Sequence, residues 1–132
     1  MSKLEDLLSA AIEKLEAGDF EEAYMDAEEA EEISFEEDER LLWKVYWIKG
    51  RAATLEQEFD IAEEWFDMAI AAAFDKDDGG TELIQVYRGI NFLLWGDEDR
   101  GECELQCAFL NGGETAFANV DPKYLEIGSR DD

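Results

Sequence analysis

The stretch EAGDFEEAYMDAEEA, residues 16–30, decides the fold because its pattern of small and aromatic residues returns twice along the chain. The segment LEQEFDIAEEWFDMA at 55–69 aligns with it after a step of 39 residues, and LWGDEDRGECELQCA at 94–108 aligns after a second step. A fixed period of this size is typical of stacked repeat proteins. The sequence therefore predicts three copies of one structural unit.

Each copy reads as two helices joined by a tight turn. Ser2 and Glu5 form a capping box for the first helix, and Gly18 suits the left-handed residue that ends it. Asp19 starts the second helix, and apolar residues at intervals of three and four follow on both sides of the turn. Later helices are expected to start at Ser34, Thr81 and Asp121-Pro122. A loop with the sequence DKDDGG is expected at 75–80.

Residues of similar size recur with the same period of 39. Three positions in the first helices hold small residues: Ala11, Gly50 and Gly89. A series of generally larger residues runs through the second helices and consists of Ala27, Phe66 and Leu105. A third series falls at the turns and consists of Gly18, Gln57 and Gly96. We expect the larger residue of each second helix to fill the space that the small residue opposite leaves.

These positions resemble the tetratricopeptide repeat family, in which a small residue in the first helix precedes a small-x3-aromatic-x2-small pattern in the second. The second copy matches best, with Gly50 followed by Ala62, Phe66 and Ala69. The step is longer than the usual period of about 34, and the family's closing proline is missing.

The resemblance implies an all-α superhelix of three helical hairpins in one domain spanning 1–132. The expected repeats cover approximately 3–34, 35–74 and 81–111, and a short capping segment follows at 112–132. The alternative is a generic helical bundle.

The chain is strongly acidic, with 36 Asp and Glu against 11 Lys and Arg, a formal net charge of −25. Direct binding to nucleic acid or to an anionic membrane surface is excluded as a function class because phosphate binding needs clustered basic residues. A basic protein is a better partner. The alternative is that the charge serves solubility or adaptation to salt. The charge concentrates on an acidic face of the second helix, represented by Glu28, Glu29, Glu32 and Glu36.

The residues that usually carry catalysis or hold metals are scarce. The chain contains no histidine, which removes the commonest general base and zinc ligand. Cys103 and Cys107 lie one helical turn apart and are expected to be free thiols in a reducing compartment. We therefore expect no enzymatic activity, no cofactor and no metal. Without a secretory leader or a long apolar segment, we expect a cytoplasmic protein.

The resemblance also implies a binding site, because first helices of such repeats line a concave groove that holds peptides. By the geometry of that family, this predicted groove consists of Leu8, Ile12, Lys44, Trp47, Arg51, Val86, Ile90 and Leu94. It would hold a peptide or helix of a partner protein. Alternatively, the chain's own tail caps the last repeat or fills the groove, using Phe117, Val120, Tyr124, Leu125 and Ile127.

Two functions follow from these features. The first is a protein-interaction module that binds its partner in the apolar groove. The second is an acidic inhibitor or immunity-type protein that imitates nucleic acid and binds a basic protein through the acidic face. A monomer or weak homodimer is expected in either case.

Overall fold

The computed structural model describes residues 2–76 and 80–130. The chain forms two compact units, Met1–Gly79 and Gly80–Asp132. Every regular element within the described residues is helical, which confirms the predicted all-α class and the order of three hairpins followed by a short C-terminal helix. In these same residues, each helix is too short or too polar to span a bilayer.

The first unit contains two helical hairpins. The first hairpin pairs α1 with α2, the second pairs α3 with α4, and α2 packs against α3. The helices are α1 Lys3–Ala17, α2 Phe20–Glu37, α3 Leu42–Leu55 and α4 Phe59–Lys76, with a 3₁₀ turn at Glu39–Leu41 before α3. As predicted, the hydroxyl of Ser2 accepts a hydrogen bond of 3.1 Å from the Glu5 N–H at the start of α1.

The second unit contains the third hairpin and the C-terminal segment. Its elements are α5 Thr81–Trp95, α6 Glu98–Gly112, a 3₁₀ turn at Gly113–Phe117, and α7 Pro122–Gly128. The 3₁₀ turn contacts both α5 and α6, and α7 contacts α6. All five apolar tail residues singled out in the sequence join or pack against one apolar cluster with this hairpin: Phe117, Val120, Tyr124, Leu125 and Ile127. The segment therefore packs on the last hairpin.

The boundary between the first two repeats differs from the prediction. Ser34 does not start a helix: it is fully buried inside α2, and its hydroxyl donates a 2.6 Å hydrogen bond to the carbonyl oxygen of Asp38. Its small side chain continues the buried stripe of Ala23, Ala27 and Ala30 on the same helix. Asp38 instead caps the 3₁₀ turn by accepting a 3.1 Å hydrogen bond from the Arg40 N–H.

Two further sequence assignments change. Thr81 is the first residue of α5 and not its cap, a position that Gly80 occupies. Of the predicted loop at 75–80, Asp75 and Lys76 belong to α4. Residues 77–79 lie outside the part of the chain that the structure describes.

The period of 39 residues is visible in the backbone of the three turns. Gly18 and Gly96 have φ of 88° and 100°, and Gln57, which holds the same place in the second hairpin, has φ of 64°. A side chain in this left-handed region costs roughly 1–2 kcal/mol because its Cβ approaches the following carbonyl. The second turn therefore keeps the geometry of the other two at an energetic cost.

We expect Gln57→Gly to raise the free energy of unfolding by up to about 1 kcal/mol, since glycine adopts positive φ without this clash but loses more entropy on folding. Urea denaturation measures the change. The matched control is Gly18→Ala, which should destabilise the chain because it introduces the same clash at the equivalent turn. A destabilised Gln57→Gly variant would contradict this account.

Within the second and third hairpins, the helices approach too closely for a side chain at several glycines, among them the two that belong to the series of 39-residue steps. A Cβ built on Gly50 would lie 2.6 Å from the Phe66 ring, and one on Gly89 would lie 2.9 Å from the Leu105 side chain. Phe66 and Leu105 are both fully buried, so neither ring nor side chain has open space to move into. In the first hairpin, Ala11 and Ala27 hold the equivalent positions. In the second and third hairpins, bulk on the second helix is therefore matched by its absence on the first, as predicted, whereas the first hairpin has equal alanines at the two places.

We expect Gly50→Ala to lower the free energy of unfolding by about 1–3 kcal/mol, the usual cost of forcing extra carbon into a packed core. A double-mutant cycle with Phe66→Leu isolates the contact, because the smaller side chain should recover part of the loss that Gly50→Ala causes. If the two substitutions proved additive in thermal and urea unfolding, the clash with the ring would not be the cause.

Candidate functional site

The predicted groove residues of the first unit are mostly occupied in packing. Leu8 is 3% exposed and Trp47 is 5% exposed, while Ile12, Lys44 and Arg51 are half-buried. The guanidinium carbon of Arg51 lies 4.8 Å from the centre of the Trp47 ring, so a cation already packs on that ring. Leu8 and Trp47 thus belong to the core, which corrects their assignment to an open surface.

The predicted groove residues of the second unit are covered by the chain itself. Val86 is fully buried and Ile90 is 8% exposed, and both belong to one apolar cluster with Ala116 and Phe117 of the C-terminal segment. These two positions are therefore core as well, because the segment that packs on the hairpin buries them. Leu94 differs, since 53% of it remains exposed.

The acidic face lies where the sequence places it. All four of its residues are exposed on α2: Glu28, Glu29, Glu32 and Glu36. Glu29 makes a surface ion pair of 3.4 Å with the Lys3 ammonium, and such an exposed pair contributes little to stability. The face is thus a solvated surface that is available to a partner.

A cleft of about 480 Å³ opens in the first unit between the second helices of the two hairpins and the turn that joins α3 to α4. We call it the α2–α4 cleft. Its lining combines apolar and aromatic side chains with three glutamates: Glu21, Tyr24, Met25, Ala53, Glu56, Glu58, Ile61 and Trp65. None of the eight was among the predicted site residues.

Aromatic contacts hold the walls of the cleft in place. Trp65 of α4 meets Tyr24 of α2 edge-on, with ring centres 6.3 Å apart, and stacks on Tyr46 of α3 at 5.9 Å. Such pairs stabilise beyond the area that they bury. Because each ring comes from a different helix, the cleft has its shape before any ligand arrives.

A buried lysine lies against the same rings. The ammonium of Lys49 is 4.6 Å from the centre of the Trp65 ring and 5.3 Å from that of Tyr24. It also forms a 2.6 Å ion pair with Glu31, and the residue is only 3% exposed. Burying a charge is tolerable when it is paired and hydrogen-bonded. Lys49 therefore ties α3 to α2 and α4 while its charge is compensated by Glu31.

The glutamates of the cleft are crowded, and none of the described lining residues is basic. Partial burial raises the pKa of Glu56 above its ordinary value, and repulsion from Glu58 and Glu21 adds to the effect. Burial also raises the pKa of Tyr24, with contributions from the carboxylates of Glu28, Glu31, Glu56 and Glu58. The cleft therefore has a negative potential, and it continues into the acidic face at Glu28.

The cleft also has an apolar rim. Met25 is 66% exposed and Ile61 is 40% exposed, on opposite helices of the cleft. Methionine adapts its shape to different partners, which suits a binding surface. An apolar rim beside carboxylates fits a ligand that is itself both cationic and apolar.

The carboxylates of the cleft do not form a metal site. Among residues 2–76 and 80–130, no group of three or more acidic or thiol side chains is arranged to hold a metal ion.

Cys103 and Cys107 are free thiols on α6, Cys103 exposed and Cys107 half-buried. Burial raises the pKa of the Cys107 thiol, and the neighbouring Cys103 and Glu104 add to the effect.

One signal in the sequence could have pointed to the cleft. The residues on either side of the three turn positions are Ala17 and Asp19, Glu56 and Glu58, and Trp95 and Asp97. The second turn alone carries two glutamates at these flanking positions, and it is also the turn with a strained Gln57. The aromatic walls gave no such signal, because Tyr24 and Trp65 read as ordinary core positions.

Comparison of the chain with protein-family models, with curated proteins and with solved structures finds no match.

We expect Glu56→Gln to stabilise the chain at pH 7. Folding raises the pKa of this carboxyl, so its charged form costs folding free energy above that raised value. The cost disappears as the pH falls below the ordinary glutamate value of 4.5. The gain should be less than about 1 kcal/mol, because the residue is largely exposed and solvent screens it.

Urea unfolding of both proteins at pH 7 and pH 4 measures this gain. The matched control is Glu13→Gln, which removes the same charge from the exposed surface of α1. A gain of equal size at pH 4, or one that Glu13→Gln reproduces, would show that crowding in the cleft is not its cause.

Proposed function

We propose that the chain is a non-enzymatic protein-interaction module of the tetratricopeptide type that binds a basic segment of a partner protein in the α2–α4 cleft. The observation that carries this proposal is the cleft's lining, in which three glutamates surround aromatic and aliphatic side chains with no basic residue among them. A cationic, partly apolar segment complements both features at once.

The energetics of such an interface support this choice of partner. Aromatic residues in partly enclosed pockets contribute much of the binding free energy in protein complexes. The net charge of −25 attracts a basic protein from a distance, and the acidic face on the same helix as Tyr24 increases the rate of encounter. The acidic face would then steer the partner while the cleft holds it.

The groove predicted from the family resemblance is a weaker choice for the binding site. Four of its eight positions are at most 8% exposed: Leu8, Trp47, Val86 and Ile90. We therefore place the partner in the cleft between second helices.

The free thiols of Cys103 and Cys107 support a cytoplasmic location, where such thiols stay reduced.

A second candidate is an acidic inhibitor that imitates nucleic acid and binds a basic protein through the acidic face alone. The exposure of Glu28, Glu29, Glu32 and Glu36 along α2 favours it. This candidate needs no aromatic walls and no cleft, so the two functions predict different sensitive residues.

The test uses a fluorescently labelled amphipathic peptide that carries both Lys and Arg among leucines, with binding followed by fluorescence anisotropy. We expect the double variant Glu56→Gln/Glu58→Gln to raise Kd by about tenfold, which corresponds to about 1.4 kcal/mol. The control Glu13→Gln/Glu16→Gln removes the same two charges from exposed positions of α1 and should raise Kd by less than about threefold.

The variant Glu28→Gln/Glu32→Gln decides between the two candidates, because it neutralises the acidic face and leaves the cleft lining intact. If it weakens binding more than the cleft variant does, the inhibitor function is favoured. If the cleft variant binds like the α1 control, the cleft does not hold the peptide. Thermal melting of each variant confirms that it remains folded.

A further inference from the structure

We infer that the α2–α4 cleft selects an arginine side chain over a lysine side chain. This inference rests on the proposed function and identifies the residue of the partner that the cleft would anchor. It follows from the grouping of the carboxylates, from the apolar walls, and from the cation that already lies close to the aromatic rings.

The carboxylates of the cleft come from two parts of the first unit. Glu21 belongs to α2, whereas Glu56 and Glu58 flank Gln57 at the turn between α3 and α4. An ammonium group is a compact point charge, while a guanidinium presents five N–H donors in one plane. The planar group can donate to more than one carboxylate at the same time, so a cluster of neighbouring glutamates favours arginine.

The apolar walls favour the same choice through desolvation. Met25, Ala53 and Ile61 line the cleft together with the two aromatic rings, so an entering cation loses part of its hydration shell. A guanidinium is more weakly hydrated than an ammonium and packs flat on apolar and aromatic surfaces. The chain contains an example of such packing in Arg51, which lies over the Trp47 ring at 4.8 Å.

Lys49 reduces the attraction that the aromatic rings can offer to the cation of a ligand. Its ammonium already lies close to both rings, at 4.6 Å from Trp65 and 5.3 Å from Tyr24. A ligand in the cleft therefore gains less from cation–π attraction, whichever cation it carries. Hydrogen bonds to carboxylates and broad van der Waals contact remain, and a guanidinium makes more of both.

The size of the cleft fits a side chain with an apolar neighbour. About 480 Å³ lies within the range of ordinary ligand pockets and exceeds what a single charged head group fills. The exposed Met25 and Ile61 offer contact to an apolar residue beside the arginine. The ligand is therefore an arginine within an amphipathic segment and not an isolated charge.

The experiment compares three labelled peptides that share one leucine-rich sequence and differ at a single guest position, which holds Arg, Lys or the neutral isostere citrulline. We expect the Arg peptide to bind at least about fivefold more tightly than the Lys peptide, and the citrulline peptide to bind most weakly. In the Glu56→Gln/Glu58→Gln variant, the preference for Arg over Lys should fall below about twofold, while Glu13→Gln/Glu16→Gln should retain it.

A second measurement locates the peptide directly. In ¹H–¹⁵N spectra, the indole resonance of Trp65 should shift on addition of the Arg peptide, whereas that of Trp95, on α5, should stay in place. This measurement uses the unsubstituted protein, so a variant that folds poorly cannot change its result.

The outcomes separate the two proposals. If Arg and Lys peptides bind equally well and both lose affinity in the cleft variant, the selection of arginine is overturned and the proposed function stands. If binding ignores the guest residue, ignores the cleft variant and leaves the Trp65 resonance unmoved, or if no peptide binds, both are overturned.

Discussion

The structure of each hairpin depends on how closely its two helices can approach. At the crossing of the second hairpin, Gly50 leaves room for the ring of Phe66, and at that of the third, Gly89 leaves room for Leu105. The first hairpin uses Ala11 and Ala27 at the same places, both fully buried. The first hairpin thus has equal small residues on its two helices, whereas the other two place the bulk on the second helix alone. Because buried side chains are packed without spare volume, this division constrains the second helix as much as the first.

The α2–α4 cleft is a consequence of how the two hairpins of the first unit meet. Lys49 lies on α3, the helix that packs against both α2 and α4. It pairs with Glu31 of α2 at 2.6 Å, and its ammonium lies 4.6 Å from the centre of the Trp65 ring on α4. A buried cation with these neighbours holds the three helices in one arrangement, since any shift would leave the charge without compensation. The aromatic walls are fixed in this way, and the carboxylates line the same cleft.

Negative charge is distributed over the first unit in two distinct manners. The acidic face is a solvated stripe of α2, where the carboxylates are exposed and screened by salt. Glu56 is also largely exposed, but burial of part of its surface, together with repulsion from Glu58 and Glu21, raises its pKa, and it lies beside apolar walls. The exposed carboxylates of the acidic face attract a basic partner over a distance. The carboxylates beside apolar walls make the contacts that select it. Tyr24 lies close to carboxylates of both kinds, Glu28 of the acidic face and Glu56 of the cleft, which connects the overall acidity of the chain with a particular place at which a basic ligand can be held.

The period, the helices and the three turns are readable from the chain alone, because a left-handed turn residue, a cap and an apolar stripe are local patterns that recur every 39 residues. Spacing alone aligns Gln57 with Gly18 and Gly96, and its φ of 64° agrees with theirs. The cleft could not be found in this manner: it combines residues from α2, α3 and α4 that are far apart in the sequence. Burial likewise depends on neighbours, so Trp47 and Val86 looked like groove positions and are core residues, while Ser34 looked like a cap and extends a stripe. Sequence periodicity states which face of a helix is apolar, and only packing decides whether that face is covered.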